Sequence, residues 1–337
     1  MNTHDSAPQS PSRRAALGAA AVAGASSLMA VTGFAPAAAA AESTGASING
    51  PVTYYAELRV AQPFKGGFDS GMQRFAKAMQ QRGALAVTLK QMVGDSTMVK
   101  NYPESYKGML RSAYADAAQA RTLPLFYALF VRFDSDKALR AAQPDSVFDA
   151  EVLPHLHAAM MQDGKPVPSP APMAVYRGVF QTVAAGDRHG IYTSEADILK
   201  FLAKPADAAS GNSLITVENH VFIADRVMQP FEQKVVPLLK VAQETFQPSN
   251  AADGIGQPGA ADNRFYRKAV STEILRKATP DGQQRAYIMH GIWESVWDHE
   301  NSHLDPRFKA AAGPVGAMVD IGPVEPFYTT QLTVLRA

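Results

Sequence analysis

The chain has 337 residues, 32 Lys and Arg against 31 Asp and Glu, a formal net charge of +1 and no cysteine. A balance this close to neutral, with no block of Lys and Arg, offers no electrostatic footprint for a nucleic-acid partner. The absence of thiols excludes disulfides, Cys-ligated zinc, iron–sulfur clusters and thiol catalysis, so stability has to come from ordinary apolar cores.

In chain order the first feature is Ser12-Arg13-Arg14, followed by an apolar run from Ala15 to about Val31 and an Ala-rich stretch over 35–41. A polar start, an apolar centre and a small-residue end are the three parts of a secretory signal. The paired arginines ahead of a weakly apolar run resemble the twin-arginine signal, with Ala16 where Phe is usual and Gly18 where Lys is common. Residues 1–41 are therefore expected to be a signal peptide that engages the twin-arginine translocation machinery. Cleavage after Ala39, Ala40 or Ala41 leaves a periplasmic or secreted product. Roughly 295 residues remain, enough for one large domain or two of ordinary size. No later apolar run is long enough to cross a bilayer, so no membrane contact is expected of the mature form.

Residues 52–60 read as a strand, followed by a helix with Phe68, Met72, Phe75 and Met79 on one stripe and a strand over 84–93. A run rich in helix formers, 102–120, precedes a strand over 125–133, a helix from 136 to about 161 and a strand over 174–183. Ser194 caps a short helix within 193–204. The pattern then returns with a strand over 214–227 and a helix whose Phe231, Val235, Leu238, Leu239, Ala242 and Phe246 form an apolar stripe. A loop rich in Gly, Ala, Pro, Asn and Asp covers 248–263, before strands near 265–274 and 286–293, a helix over 298–311 and a strand over 327–335.

Both passes have the order β-α-β-β-α-β, the first with an inserted helix, which is the ferredoxin-like arrangement of an antiparallel sheet covered on one face by two helices. The other face of each sheet has to be buried or used. The expected fold class is α+β: two tandem ferredoxin-like units, over 50–187 and 210–337, joined by a linker at 188–209. Packed sheet to sheet as a pseudo-dimeric α+β barrel, they enclose a pocket for a small molecule. The molecule itself is expected to be a monomer or homodimer.

The second half carries Ile292-Trp293-Glu294-Ser295, then His299 and His303-Leu304-Asp305-Pro306-Arg307-Phe308-Lys309, ahead of a β-rich terminal strand. This resembles the antibiotic biosynthesis monooxygenase family of dimeric α+β barrels, whose third strand ends in a Trp/Tyr-x-Ser-like turn followed by a His-bearing helix. Arg132-Phe133-Asp134-Ser135 is a weaker echo in the first half. The resemblance implies a cofactor-independent oxygenase acting on a phenolic or quinol-like molecule, or a haem-binding or haem-degrading relative. Fold alone does not separate these activities.

Alternation over 214–223 sets Ile215, Val217, Val221 and Ile223 on one face and Thr216, Glu218 and His220 on the other. With the apolar face against the helices, His220 points into the pocket, where an imidazole serves as base, proton shuttle or haem ligand. The alternative is a hydrogen-bonded core or rim histidine. Trp293, His290 and Trp297 lie on and just after the third strand, as an aromatic platform for a flat substrate or simply as core. Alternation lets only one of His290 and Trp293 face the pocket, and the family pattern selects Trp293.

His299-Glu300-Asn301-Ser302-His303 matches H-E-x-x-H, in which two histidines one turn apart hold zinc and the Glu activates water. Pro306 follows closely and the third ligand is an open guess such as Glu325, so a solvated first turn capped by Asp298 is the plainer reading. His155 and His157 beside Met160 and Met161 suggest copper by composition, but they do not share one helical face and are read as helix surface and core. Tyr54, Tyr127, Arg132 and Phe308 are expected substrate contacts, with sheet surface as the ordinary reading of the first three.

The expected function is therefore an exported monooxygenase that needs no cofactor and acts on an aromatic or quinol-type molecule. His220 or His303 is the base and Trp293 stacks on the ring. The alternatives are a haem-binding or haem-handling protein of the same fold with one of these histidines as axial ligand, a zinc hydrolase using His299, Glu300 and His303, and a non-enzymatic binding protein.

Overall fold

A computed structural model describes residues 48–96, 124–208, 214–244, 269–302 and 305–336, without the side chains of 95, 96, 297, 300 and 301. Strand β1 (Val52–Val60) shows how the chain sorts its residues. Val52, Tyr54, Ala56, Leu58 and Val60 form one row, and Thr53, Tyr55, Glu57 and Arg59 the other. The apolar row meets α1 (Lys65–Gln81), whose Phe68, Met72, Phe75 and Met79 recur at helical spacing and are at most 1 % exposed. Each such burial contributes about 1.5–3 kcal/mol, so packing rather than capping holds α1. The helix is followed by Gly83 at a φ of +91°, a left-handed conformation that glycine adopts without a Cβ penalty.

Gly71 is needed for a different reason. An added Cβ there would run into the carbonyl oxygen of Glu151 and lie 2.9 Å from the His155 ring. Gly71→Ala is therefore expected to destabilise the fold by about 1–3 kcal/mol, read as a lower urea midpoint.

β2 (Ala86–Ser96) and β3 (Leu125–Phe133) lead to α2 (Asp136–Ala142), capped by Ser135, and α3 (Pro144–Glu151). The helix expected to run to about residue 161 is not continuous. Gln143 takes a left-handed φ of 51° ahead of Pro144, and Pro154 sits in a 3-10 turn after α3. The next residues form a hairpin, β4 (His157–Gln162) and β5 (Lys165–Pro172), turned at Asp163-Gly164 with both residues at positive φ. His155, His157, Met160 and Met161 are thus not helix surface and core: the two methionines are 43 % and 71 % exposed on the hairpin.

β6 (Tyr176–Asp187) and β7 (Gly190–Tyr192) precede α4 (Glu195–Leu202), which Ser194 caps as expected. β8 (Ile215–Ala224), α5 (Met228–Gln243), β9 (Ser271–Lys277) and β10 (Gln284–Trp293) follow. The helix expected over 298–311 is two, α6 (Val296–Ser302) and α7 (Pro306–Gly316), because Asp305 caps a new start at Pro306. β11 (Val319–Leu335) ends the order. The stretches read as helix 102–120 and loop 248–263 lie outside the described residues, as do residues 265–268. No helix among the described residues is long and apolar enough to cross a membrane.

Eight strands close into an antiparallel barrel in the order β1-β3-β2-β11-β8-β10-β9-β6, with β6 returning to β1 and β7 attached beyond it. One arc has the order β6-β1-β3-β2 and the other β11-β8-β10-β9. The arcs join where β11 passes from β8 to β2 and β6 from β1 to β9. Helices α1 to α3 pack outside the first arc, α5 and α7 outside the second. Leu202, Pro205 and Asp207, in and just after α4, lie against interior residues at one end of the barrel, including Thr88 and His290.

Candidate functional site

The inward rows leave a cavity of about 650 Å³ in the barrel, walled by Tyr55, Phe126, Tyr176, Phe180, Phe222 and Tyr328. His220 faces it from β8, 20 % exposed, as the alternation of that strand predicts. Its Nε2 lies 3.1 Å from Glu218 Oε2 and its Nδ1 3.8 Å from Glu57 Oε1. The Tyr55 hydroxyl donates to the same Glu218 oxygen at 2.9 Å and lies 3.1 Å from Glu57 Oε1. A fully buried carboxylate at Glu218 favours the tautomer with hydrogen on Nε2, which leaves the Nδ1 lone pair as the proton acceptor.

Burial opposes a charged imidazole, but the hydrogen bond to Glu218 and the charges of Glu218 and Glu57 outweigh it and raise the His220 pKa. Burial, reinforced by Glu218, holds the Tyr55 phenol well above its ordinary value, so it stays a donor. Burial also raises Glu57, against the pull of His220.

A belt of buried charge lies deeper in the barrel. Arg132 makes two 2.6 Å hydrogen bonds to Glu273, which also accepts from Thr182 at 2.6 Å. Lys90 pairs with Asp207 and donates to Thr216 at 2.8 Å. Burial alone would raise Asp207, but the charge and hydrogen bond of Lys90, with Thr330, pull it down to about 2. Burial, then Lys90 and Arg132, hold His290 well below the usual imidazole range, so it is neutral. Arg132 is therefore half of a buried ion pair rather than a contact on the cavity wall.

The remaining expected residues are spread over other places. Glu218 pairs with His290 across β8 and β10, so His290 faces inward and Trp293, an odd number of residues on, faces outward. Trp293 packs with Ile215, Val217 and Phe327, its ring 5.2 Å from that of His299. Val217, Trp293, His299, Asn219 and Phe308 line a separate cleft of about 80 Å³ between sheet and helices. Burial lowers the pKa of His299. Tyr54 belongs to the outward row of β1, and its hydroxyl donates to Asp145 in the first turn of α3 at 2.9 Å. Tyr127 rests on Phe68 at 4.9 Å on the helix side while also bordering the cavity. His303 and the Glu300 side chain lie outside the described residues, among which no three acidic or histidine side chains gather as a metal site.

Tyr55, Glu57 and Glu218 were not singled out from the sequence, although the alternation of β1 and β8 carries the signal: each polar member sits in the row opposite the apolar one.

Residues 51–138 match the ABM-like domain, and residues 183–331 the CT0912-like C-terminal domain. The chain carries both domains. The ABM-like match falls on the half with the weaker sequence echo and supplies Tyr55 and Glu57, while the CT0912-like domain supplies Glu218, His220 and His290. Among solved structures, a candidate monooxygenase from Fusobacterium nucleatum aligns with a TM-score of 0.50 and 7 % identity over 86 % of this chain and 95 % of that one. One from Lactobacillus acidophilus gives 0.46 and 9 % over 86 % and 97 %. An anthrone oxidase-like protein gives 0.48 and 12 % over 86 % and 94 %. At 7 % identity the Fusobacterium alignment speaks for the fold alone. A comparison with curated proteins gives no match.

Proposed function

We propose that this protein is an exported monooxygenase of aromatic or quinol-type molecules that works without a cofactor, with the substrate in the barrel cavity and His220 as the base. The observation that carries the reading is the His220 imidazole in an aromatic-walled cavity, backed on Nε2 by the buried Glu218. In this scheme Nδ1 takes an acidic substrate proton and leaves an electron-rich anion. Dioxygen oxidises it: one oxygen atom enters the substrate, the other leaves as water with the two hydrogens the substrate loses. The aromatic walls hold the ring and exclude bulk water.

Two parts of the proposal concern architecture and location. The barrel is a tandem of two ferredoxin-like units, supported by the matching strand orders of its two arcs. A barrel that closes within one chain forms its cavity without a second copy, which supports a monomer as the working unit. Residues 1–41 direct twin-arginine export, on the strength of Arg13-Arg14 and the apolar run behind them.

Oxygen uptake by the mature protein exported from its native host, with a panel of quinols, anthrones and phenols, tests the reading. Uptake by a colourless, metal-free preparation is expected. A Soret band, stoichiometric zinc, or tight ring binding without uptake overturns it in favour of the haem, hydrolase or binding-protein alternative. A second expectation concerns pH. Activity should rise with pH as the raised pKa of His220 is passed and the neutral base appears. Glu218→Gln removes the charge that holds the proton, so the acid limb of kcat/KM should move to lower pH.

A further inference from the structure

Glu218 stands opposite His290 across the β8–β10 ladder, and both side chains point into the barrel, two residue pairs along from His220. They are 0 % and 5 % exposed. Tyr55 and His220 both use Glu218 Oε2, whereas Glu218 Oε1 and His290 Nε2 have no hydrogen-bond partner among the described residues. On its other side His290 presents Nδ1 to Glu273 Oε2 at 3.8 Å. A carboxylate there favours the tautomer with hydrogen on Nδ1, which makes Nε2 an acceptor.

Two acceptors on paired strands cannot satisfy each other, and leaving them bare costs about 1–3 kcal/mol each. The neighbouring cations do not resolve this. Lys90, from β2, is engaged with Asp207, and Arg132, from β3, with Glu273. What satisfies both acceptors is a single small guest with two donor hydrogens.

We propose that Glu218 Oε1 and His290 Nε2 hold one water molecule between them, which donates a hydrogen to each and makes His290 a positioning residue for His220. The positioning role rests on the reading of His220 as the base. Glu273, Lys90, Arg132 and Asp207 are the charged groups around His290, and the two cations help keep it neutral, as the acceptor role requires. Around His220 stand Glu57, Tyr55 and Glu218. The bound water fixes the second oxygen of Glu218, so the carboxylate is held from both ends. Without it the carboxylate keeps fewer hydrogen bonds and holds the His220 proton more strongly, which raises the pKa of His220 further.

The test titrates His220 by NMR in the intact protein labelled with ¹⁵N-histidine. His290→Phe should move the titration up by about one pH unit, and His290→Gln, which keeps a polar end, should recover most of the shift. An atomic-resolution crystal structure of the unaltered protein should show density within hydrogen-bond reach of both atoms. An unmoved titration in folded His290→Phe protein, or a dry gap in the crystal, overturns the proposal. Should His290→Phe not fold, the crystal density and the glutamine variant decide it alone. These readings follow a proton and a water rather than turnover, so they stand or fall separately from the oxygen-uptake result.

Discussion

His220→Gln lowers kcat/KM for oxygen uptake about 10²- to 10⁴-fold if the imidazole is the base, the range usual for losing a positioned general base. Glutamine suits the test because it keeps a polar group of similar reach that can donate to Glu218 and line the cavity, but it cannot take a proton at neutral pH. Substrate affinity, measured without oxygen, should stay within a few-fold, since the ring is held by Tyr55, Phe180 and their neighbours. The variant should also lose the acid limb that His220 gives the unaltered enzyme. A variant that keeps about a third or more of the activity would remove His220 from the mechanism.

The same raised pKa has a consequence for stability. A histidine that binds its proton more tightly folded than unfolded contributes stability that is fully present below the ordinary imidazole pKa of about 6.5. That contribution fades as the pH rises through the raised folded value. The substrate-free protein should therefore lose part of its stability over the pH range in which it gains activity, an opposition that thermal unfolding at several pH values will reveal.

The second large effect lies deeper in the barrel. Arg132 and Glu273 are 5 % and 1 % exposed and joined by two short hydrogen bonds. Burying such a pair costs desolvation that its attraction roughly repays, but removing one partner leaves an uncompensated buried charge. Arg132→Met is therefore expected to destabilise the protein by about 3–5 kcal/mol in urea unfolding, because Glu273 and its bond from Thr182 remain. The double variant Arg132→Met, Glu273→Leu should recover most of that loss, since no charge is left behind. A single-variant cost below about 1 kcal/mol would mean that water reaches the pair.

Much of this was legible before any coordinates. Alternation on β8 pointed His220 inward, and the apolar stripes of α1 and α5 marked the faces that cover the sheet. The β4–β5 hairpin also had a local signal in Asp163-Gly164, which a helical reading of 136–161 passed over. On β1 the apolar row Val52, Tyr54, Ala56, Leu58 and Val60 was a signal that Tyr54 meets the helices and Tyr55 the interior, which the reading of Tyr54 as a substrate contact passed over.

Other assignments had no local signal. Alternation allowed one of His290 and Trp293 to face inward, and only the register of β10 against β8 selects His290. The partners at the base are far apart in sequence, Tyr55 and Glu218 being 163 residues from each other. Arg132 meets Glu273 across 141 residues. By itself the sequence determined the periods, caps and breaks of the elements, because those are set by sterics and hydrogen bonds within a few residues. Ring closure decided which row of β10 looks inward and which distant charges meet, because an eight-stranded barrel fixes every strand against two others at once.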